Sequence, residues 1–280
     1  MVELDVVLDD LAAESAELDR LVAALPAADW SRATPAEGWT VAHQIAHLAW
    51  TDQASVLAAT DPEAFARQLQ TALDNPSGFV DEGAAEGAVL PPAELLLVWR
   101  EGRDELTKAL RAVPPGDKVA WFGPPMSPTS MATARIMETW AHGQDVFEAL
   151  EVHRTPSERL RHVAHLAVRT RDFAHLLNNR KPPTTEFRVE LVAPDRTIWS
   201  WGPEDATQRV TGTALDFCLL ATQRRHRDDT DVEAVGADAH AWLDIIQAFA
   251  GVPGPGRRPK ADPTAGPKAG SEADPKAENG

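Results

Sequence analysis

The sequence has one cysteine, no tyrosine and no apolar run approaching the roughly 20 residues of a membrane span. Each shortage closes off a class of function. Cys218 stands alone in the apolar run LDFCLLAT, so no disulfide framework can form and a reducing cytosol suits the chain. Its setting reads as a small buried hydrophobe rather than a thiolate nucleophile. Without tyrosine a phenolic general acid is excluded, and aromatic contacts to a ligand must come from tryptophan or phenylalanine. Positive charge is also short: 27 Lys and Arg against 43 Asp and Glu leave a net charge of −16. That balance argues against nucleic acid or an anionic membrane surface as a partner, since both need a basic patch. The acidic, amphipathic N-terminus MVELDVVLDDLAAESAELDRL is not a signal peptide, and a cytoplasmic location is expected.

What remains is the profile of a globular protein of 280 residues, 43% hydrophobic and 25% charged. Apolar residues recur at helical spacing over residues 4–25, and Thr40 can cap a second helix over residues 41–59. Asp61-Pro62 opens a third helical segment, and the stretch NPSGFVDEGAAEG reads as a loop. Strong helices follow in PPAELLLVWREGRDELTKALRAV, over residues 129–150 and from Pro156 to about residue 178. The period then changes to two in FRVELVA and TIWSWG, a β-hairpin joined by PDR, with ATQRVTG as a further candidate strand and two helices after it. These elements predict an α+β, mainly α chain: a helical bundle over residues 1–178, a small α/β domain over 179–252, and a disordered Pro/Gly/Ala/Lys-rich tail over 253–280.

Two pairs of side chains carry possible chemistry. His43 and His47, in GWTVAHQIAHL, and Glu138 and His142, in TARIMETWAHGQDV, are each spaced i,i+4 and so share one helix face. Helix bundles build metal sites from such inward-facing residues on facing helices. Imidazoles with a carboxylate suit zinc, iron, nickel or cobalt better than calcium or magnesium. The same spacing also describes ordinary satisfied or surface side chains, and no glycine- or cysteine-based motif competes for the role.

The two segments together resemble the DinB-like (YfiT-like) metalloprotein superfamily and, within it, the mycothiol-dependent maleylpyruvate isomerase family. Trp39, Thr40, Val41, His47 and Leu48 match its first motif; Arg135, Glu138, His142 and Asp145 match its second, R-x-x-E-x-x-x-H-x-x-D. The resemblance covers about residues 5–252. It implies a DinB-like four-helix bundle followed by a small α/β domain with a β-hairpin. It also implies a divalent metal held by His47, Glu138 and His142, with a position left for water. Arg224, in TALDFCLLATQRR, matches an arginine that faces the active site in that family. Where the family usually has Asp, this chain has His43, which can serve as a further ligand, a partner of the ligands or a proton-transfer group.

Other residues take their expected roles from position. Arg135 lies one turn before Glu138 and can hold its carboxylate, while Asp145 can accept the free ring N–H of His142. Trp39, Trp121, Met126 and Trp140 are candidate pocket walls; the last three come from or follow the stiff loop WFGPPMSP, with Phe122 and Ser127. His162, His165, Arg169 and His175 stripe the next helix, as an interdomain or solvent face. The resulting expectation is a metal-dependent enzyme acting on a small anionic or carbonyl-bearing molecule, with His43 and Arg224 as catalytic groups. By resemblance it would be an isomerase or thiol transferase using mycothiol, and the Ala/Arg/Pro-rich composition suits an actinobacterium that would make that thiol. The rival readings are a metal-assisted cyclase, lyase or hydrolase of secondary metabolism, a non-catalytic metal- or ligand-binding module, and a structural homodimer without metal.

Overall fold

The computed structural model describes residues 3–76, 78–251, 253, 254 and 256–260. Four long helices make the N-terminal bundle: α1 (Leu4–Ala23), α2 (Val41–Thr60), α5 (Pro92–Ala112) and α6 (Pro128–Ala149). Helix α1 lies along α6 and α2 along α5, with α2 also against α6. The buried positions of α1, among them Val7, Leu8, Leu11, Leu18 and Val22, recur every three or four residues, so one stripe faces the bundle. Leu18, Val22, Ile45, Leu48, Leu95, Trp99 and Val146 close one end of the core. Val7, Leu11, Phe65, Leu106, Leu110, Met131 and Ile136 close the other.

Helix α3 (Pro62–Asp74) begins as its sequence dictates, with Pro62 in the first turn and the Asp61 carboxylate accepting the Ala64 N–H. The loop expected after it is instead mostly helix α4 (Phe79–Ala88), which lies on α2. Gly83 and Gly87 look like breakers in the sequence but act as contact points. A Cβ at Gly87 would meet the Ala46 Cβ at 2.9 Å, and one at Gly83 would meet the Trp50 ring at 2.8 Å. The missing side chains let two backbones approach.

The helix expected from Pro156 to residue 178 is two, α7 (Leu160–Arg169) and α8 (Arg171–Leu177), broken where the Thr170 hydroxyl donates to carbonyls of α7 and to that of Gln247. A four-stranded sheet follows in the order β2-β1-β3-β4. Strand β1 (Phe187–Val192) pairs antiparallel with β2 (Ile198–Trp201) and parallel with β3 (Gln208–Thr213). Strand β4 (Glu233–Val235) pairs antiparallel with β3 and was not foreseen, being three residues long. Helices α9 (Ala214–Ala221) and α10 (Ala237–Leu243) cover the sheet. Phe187, Val189 and Leu191 of β1 point into a core with Phe217 and Trp242. Leu160 and Val163 of α7 and Met137, Trp140 and Ala141 of α6 belong to the same core, which therefore runs without a gap from the bundle to the sheet.

Several expected pocket residues serve this packing instead. Trp121 stacks on Phe65 with the ring planes 8° apart, because the loop before α6 folds into a bridge in which Val119 and Met126 exchange backbone hydrogen bonds. Met126 joins the same bundle cluster. Trp140 is buried in the shared core, its carbonyl accepting from Arg154. On α7 and α8, His162 pairs with Asp10 of α1 at 2.7 Å, His165 accepts from the Trp201 indole, and His175 bonds to the Arg171 carbonyl. The expected tail begins too early at residue 253: Arg257 is held by an ion pair to buried Asp145, and the Lys260 N–H donates to Asp229. A polar, proline-rich segment can be fixed by charge where it has nothing apolar to bury. Residues 261–280 of that expected tail lie outside the described residues. Among the described residues no helix is long and apolar enough to cross a membrane.

Candidate metal centre

A short turn delivers the first imidazole. Ala33 and Thr40 pair as an antiparallel bridge, and Thr40 then caps α2. The His43 ring closes that cap: its Nδ1 lies 2.8 Å from the Thr40 hydroxyl and faces the Thr40 backbone N–H. This is the reciprocal capping arrangement usually made by Glu or Gln, here made by an imidazole. It corrects the expectation that His43 serves the ion or carries protons at the site. The ring is turned toward the helix start, and among the described residues His43 is in neither the candidate ligand cluster nor the cavity wall beside it.

One turn further, His47 meets Glu138 and His142 from α6. Glu138 Oε2 lies 3.5 Å from His47 Nε2 and 3.2 Å from His142 Nε2. The two imidazole rings are 4.3 Å apart between centroids. One donor atom from each residue falls within 4.8 Å of the other two. Donors bonded at about 2.1 Å to a tetrahedral zinc stand roughly 3.4 Å apart, the spacing of the carboxylate oxygen from each imidazole, and the two imidazole donors lie within 4.8 Å of each other.

The surroundings fix the rings. Gln44 Oε1 lies 2.6 Å from His142 Nδ1, so Nδ1 donates to the amide oxygen and Nε2 is the nitrogen turned toward Glu138. Gln44 is held in turn, its amide donating to Thr34 Oγ1 at 2.9 Å. Trp39 stacks on His142 at 5.8 Å, packs against His47 at 5.4 Å, and donates its indole N–H to Asp81 of α4 at 2.9 Å. His47 Nδ1 is buried with no hydrogen-bond partner among the described residues.

Burial would raise the Glu138 carboxyl, but hydrogen bonds and charge from His142 and His47 hold it well below the ordinary carboxylate range. His142 is pushed down to about 4, by burial first and by the nearby His47 and Arg224 charges, against the pull of Glu138. A carboxylate that stays ionised beside an imidazole that stays neutral is the protonation state metal binding needs.

Two expected supports lie elsewhere. Arg135 does not hold Glu138. Its Nε donates to Asp52 Oδ1 at 2.8 Å and its Nη2 to Thr51 Oγ1 at 2.6 Å, all three side chains being buried. Thr51 donates in turn to the His47 carbonyl at 2.7 Å, so Arg135 braces the backbone turn carrying His47. Asp145 does not accept from His142, a place taken by Gln44. Buried among cations, it receives Arg224 at 3.0 Å and Arg257 at 2.5 Å. Gln44 and Arg257 were missed by sequence reasoning: a neutral amide between two histidines gives no signal, and Arg257 stands in a segment with the composition of a tail.

Beside the three donors opens a cavity of about 700 Å³, walled by Trp39, Met137, Asp145, Arg224, Phe249 and Arg257. It is thus bounded by both the bundle and the α/β part, with the histidines and Glu138 on one side and two guanidinium groups on another.

Residues 11–147 match the family model described as mycothiol maleylpyruvate isomerase N-terminal domain. Residues 183–234 match a second model, described as wyosine base formation. The chain is 59% identical over 248 residues to the uncharacterized protein Rv0036c of Mycobacterium tuberculosis, covering 89% of this chain and 96% of that protein. Among solved structures it is similar to the mycothiol-dependent maleylpyruvate isomerase, at 19% identity and a TM-score of 0.56. A histidine-to-alanine variant of that enzyme gives 18% and 0.57; both superpositions cover 83% of this chain and 93% of the other.

Proposed function

The chain belongs to the mycothiol maleylpyruvate isomerase family, and on that footing we propose that it is a metal-dependent enzyme acting on a small anionic or carbonyl-bearing molecule. The observation that carries the reading is the set of three inward-facing donors, two imidazole Nε2 atoms and one carboxylate oxygen, 3.2 and 3.5 Å apart at the edge of a cavity. His47, Glu138 and His142 would hold a divalent ion, zinc by the preference of two imidazoles and a carboxylate. When bound, such an ion polarises a carbonyl or carboxylate oxygen and lowers the pKa of a bound water or thiol.

The protein's own groups supply the rest. Gln44 keeps the His142 proton on Nδ1, so that the ring's other nitrogen faces inward. Trp39 and Met137 give the cavity an apolar wall that limits water near the reacting atoms. Arg224 offers a planar cation to an anionic substrate from across the cavity. The cavity lies within the usual range for small-molecule sites, about 300–1,000 Å³, which leaves space for a thiol co-substrate beside the substrate. Family membership supports mycothiol as that co-substrate and isomerisation or thiol transfer as the reaction class.

A closed metal module is disfavoured by the use of His43 as a helix cap and by the cavity beside the donors. The test is elemental analysis of protein purified without a histidine tag, followed by assay on a panel of carbonyl and carboxylate substrates with and without mycothiol. One equivalent of metal and a thiol-dependent turnover are expected. Protein without stoichiometric metal would overturn the reading, and turnover indifferent to thiol would move it to a metal-assisted lyase, cyclase or hydrolase.

A further inference from the structure

Described residues after α10, from Phe249 to Arg257, line the cavity and have hydrogen-bonded neighbours on both sides. Before them, the buried Gln247 side chain donates to the carbonyls of Phe249 and Gly251 at 2.9 and 3.0 Å, and the Ala248 N–H donates to Ala221 of α9. Beyond them, the Lys260 N–H donates to Asp229 Oδ2 at 2.9 Å. Between these ties Gly256 has φ +64°, a left-handed conformation that costs glycine little, and the next residue is turned inward. That residue, Arg257, places Nη2 2.5 Å from Asp145 Oδ1, while Arg224 places Nη2 3.0 Å from Asp145 Oδ2.

One buried carboxylate therefore sets two guanidinium groups side by side, and it can neutralise only one of them. Arg224 spends its Nε and Nη2 on Asp145 and its Nη1 on the Thr222 carbonyl. Arg257 has a single hydrogen bond, to Asp145, and the rest of its fork is uncommitted among the described residues. Both side chains line the cavity that holds His47, Glu138 and His142. The trio of Asp145, Arg224 and Arg257 thus keeps one net positive charge on its side of the cavity, while Glu138 and Asp81 line the wall elsewhere. Forked guanidiniums match the two oxygens of a carboxylate. Arg257 also lies beyond both family-model matches, which end at residues 147 and 234.

We propose that Arg257 is a specificity-determining residue, pairing with Arg224 to bind a substrate carboxylate remote from the group that meets the ion. The favoured ligands are small molecules with two such groups at opposite ends. Asp145 is the positioning residue that keeps both cations in register. The inference rests on the proposed metal-dependent function for the ligand's other end but not for the arginine pair itself.

The test is calorimetric titration of the full chain, zinc-loaded and metal-free, with succinate and with propionate, which lacks the second carboxylate. The parent is expected to bind succinate more tightly than propionate. Arg257→Ala should weaken succinate at least about tenfold, the scale of one charged hydrogen-bonding partner. Arg257→Lys, which keeps the charge but loses the fork, should fall between, with propionate on the zinc-loaded protein and zinc content unchanged. Succinate binding within twofold of the parent in Arg257→Ala, or no binding by the parent, would overturn the proposal. If the parent takes up no zinc, the metal reading fails alone, and loss of succinate binding by metal-free Arg257→Ala still reports on the arginine pair.

Discussion

Gln44 and His142, 98 residues apart in the chain, meet at 2.6 Å across α2 and α6. The contact fixes which imidazole nitrogen is free, and Gln44 owes its own orientation to Thr34. Outer partners of metal-bound histidines typically account for 10- to 100-fold in affinity, as a rough guide. Gln44→Leu should therefore weaken zinc binding by about that factor with little change in folding. Competition against a chelator of known affinity measures it; an unchanged affinity would make Gln44 a packing residue only.

Replacing His47 or His142 by alanine should abolish stoichiometric metal, because two donors leave the ion mostly to water. Glu138→Gln should retain some metal, since the amide oxygen still reaches the ion without its charge. Elemental analysis of the three variants, after circular dichroism has shown each to be folded, gives the ranking. Equal metal content in all three would remove the proposed site.

The Asp52–Arg135 pair makes a different prediction. Burial raises the Asp52 carboxyl, and the Arg135 charge and hydrogen bond oppose that. Arg135→Ala strands Asp52 in the core, a change that costs about 3–5 kcal/mol in comparable buried pairs. Denaturant unfolding should show that loss, while the fraction still folded keeps its zinc, because Arg135 touches Asp52 and Thr51 rather than Glu138. Loss of metal from folded Arg135→Ala would show instead that the site depends on the brace through Thr51 to the turn carrying His47.

Acid should destabilise the metal-free protein in a defined window. Burial and nearby positive charge push His142 down to about 4 in the folded protein, against about 6.5 for an unperturbed imidazole in the unfolded chain. Between those values the unfolded chain binds the extra proton, so stability is full above pH 6.5 and falls as pH drops toward 4. The loss from this group is at most about 3 kcal/mol. Thermal melts of chelator-treated protein from pH 7 to 4 should follow that course. His142→Asn should flatten it, and an identical profile in parent and variant would show that His142 does not titrate this way.

Much of the candidate cluster was legible from two motifs and the helical spacing within one of them. Glu138 and His142 are one turn apart on α6, so their approach needed only the helix, and the family resemblance supplied His47. What spacing could not give was the neighbour across the bundle. Arg135 is one turn from Glu138 in sequence, yet Asp52 of the facing helix offers a closer, fully buried carboxylate. Likewise His142 had Asp145 three residues away but took Gln44. His43 carried the most suggestive spacing and turned out to close the start of its own helix. The fold's misread parts share a cause: Gly83, Gly87 and residues 253–260 have breaker or tail composition, and only tertiary contact reveals backbone approach or ionic tethering.

Helix α6 gives Met131 and Ile136 to the bundle and Met137, Trp140 and Ala141 to the core beneath the sheet. Its two sides are thus committed to different halves, and neither can melt without stripping the other of a wall. Heating should consequently yield one calorimetric transition for the whole molecule, with metal shifting its midpoint as a unit. An ion held near the N-terminal half would in this way stabilise strands more than forty residues downstream.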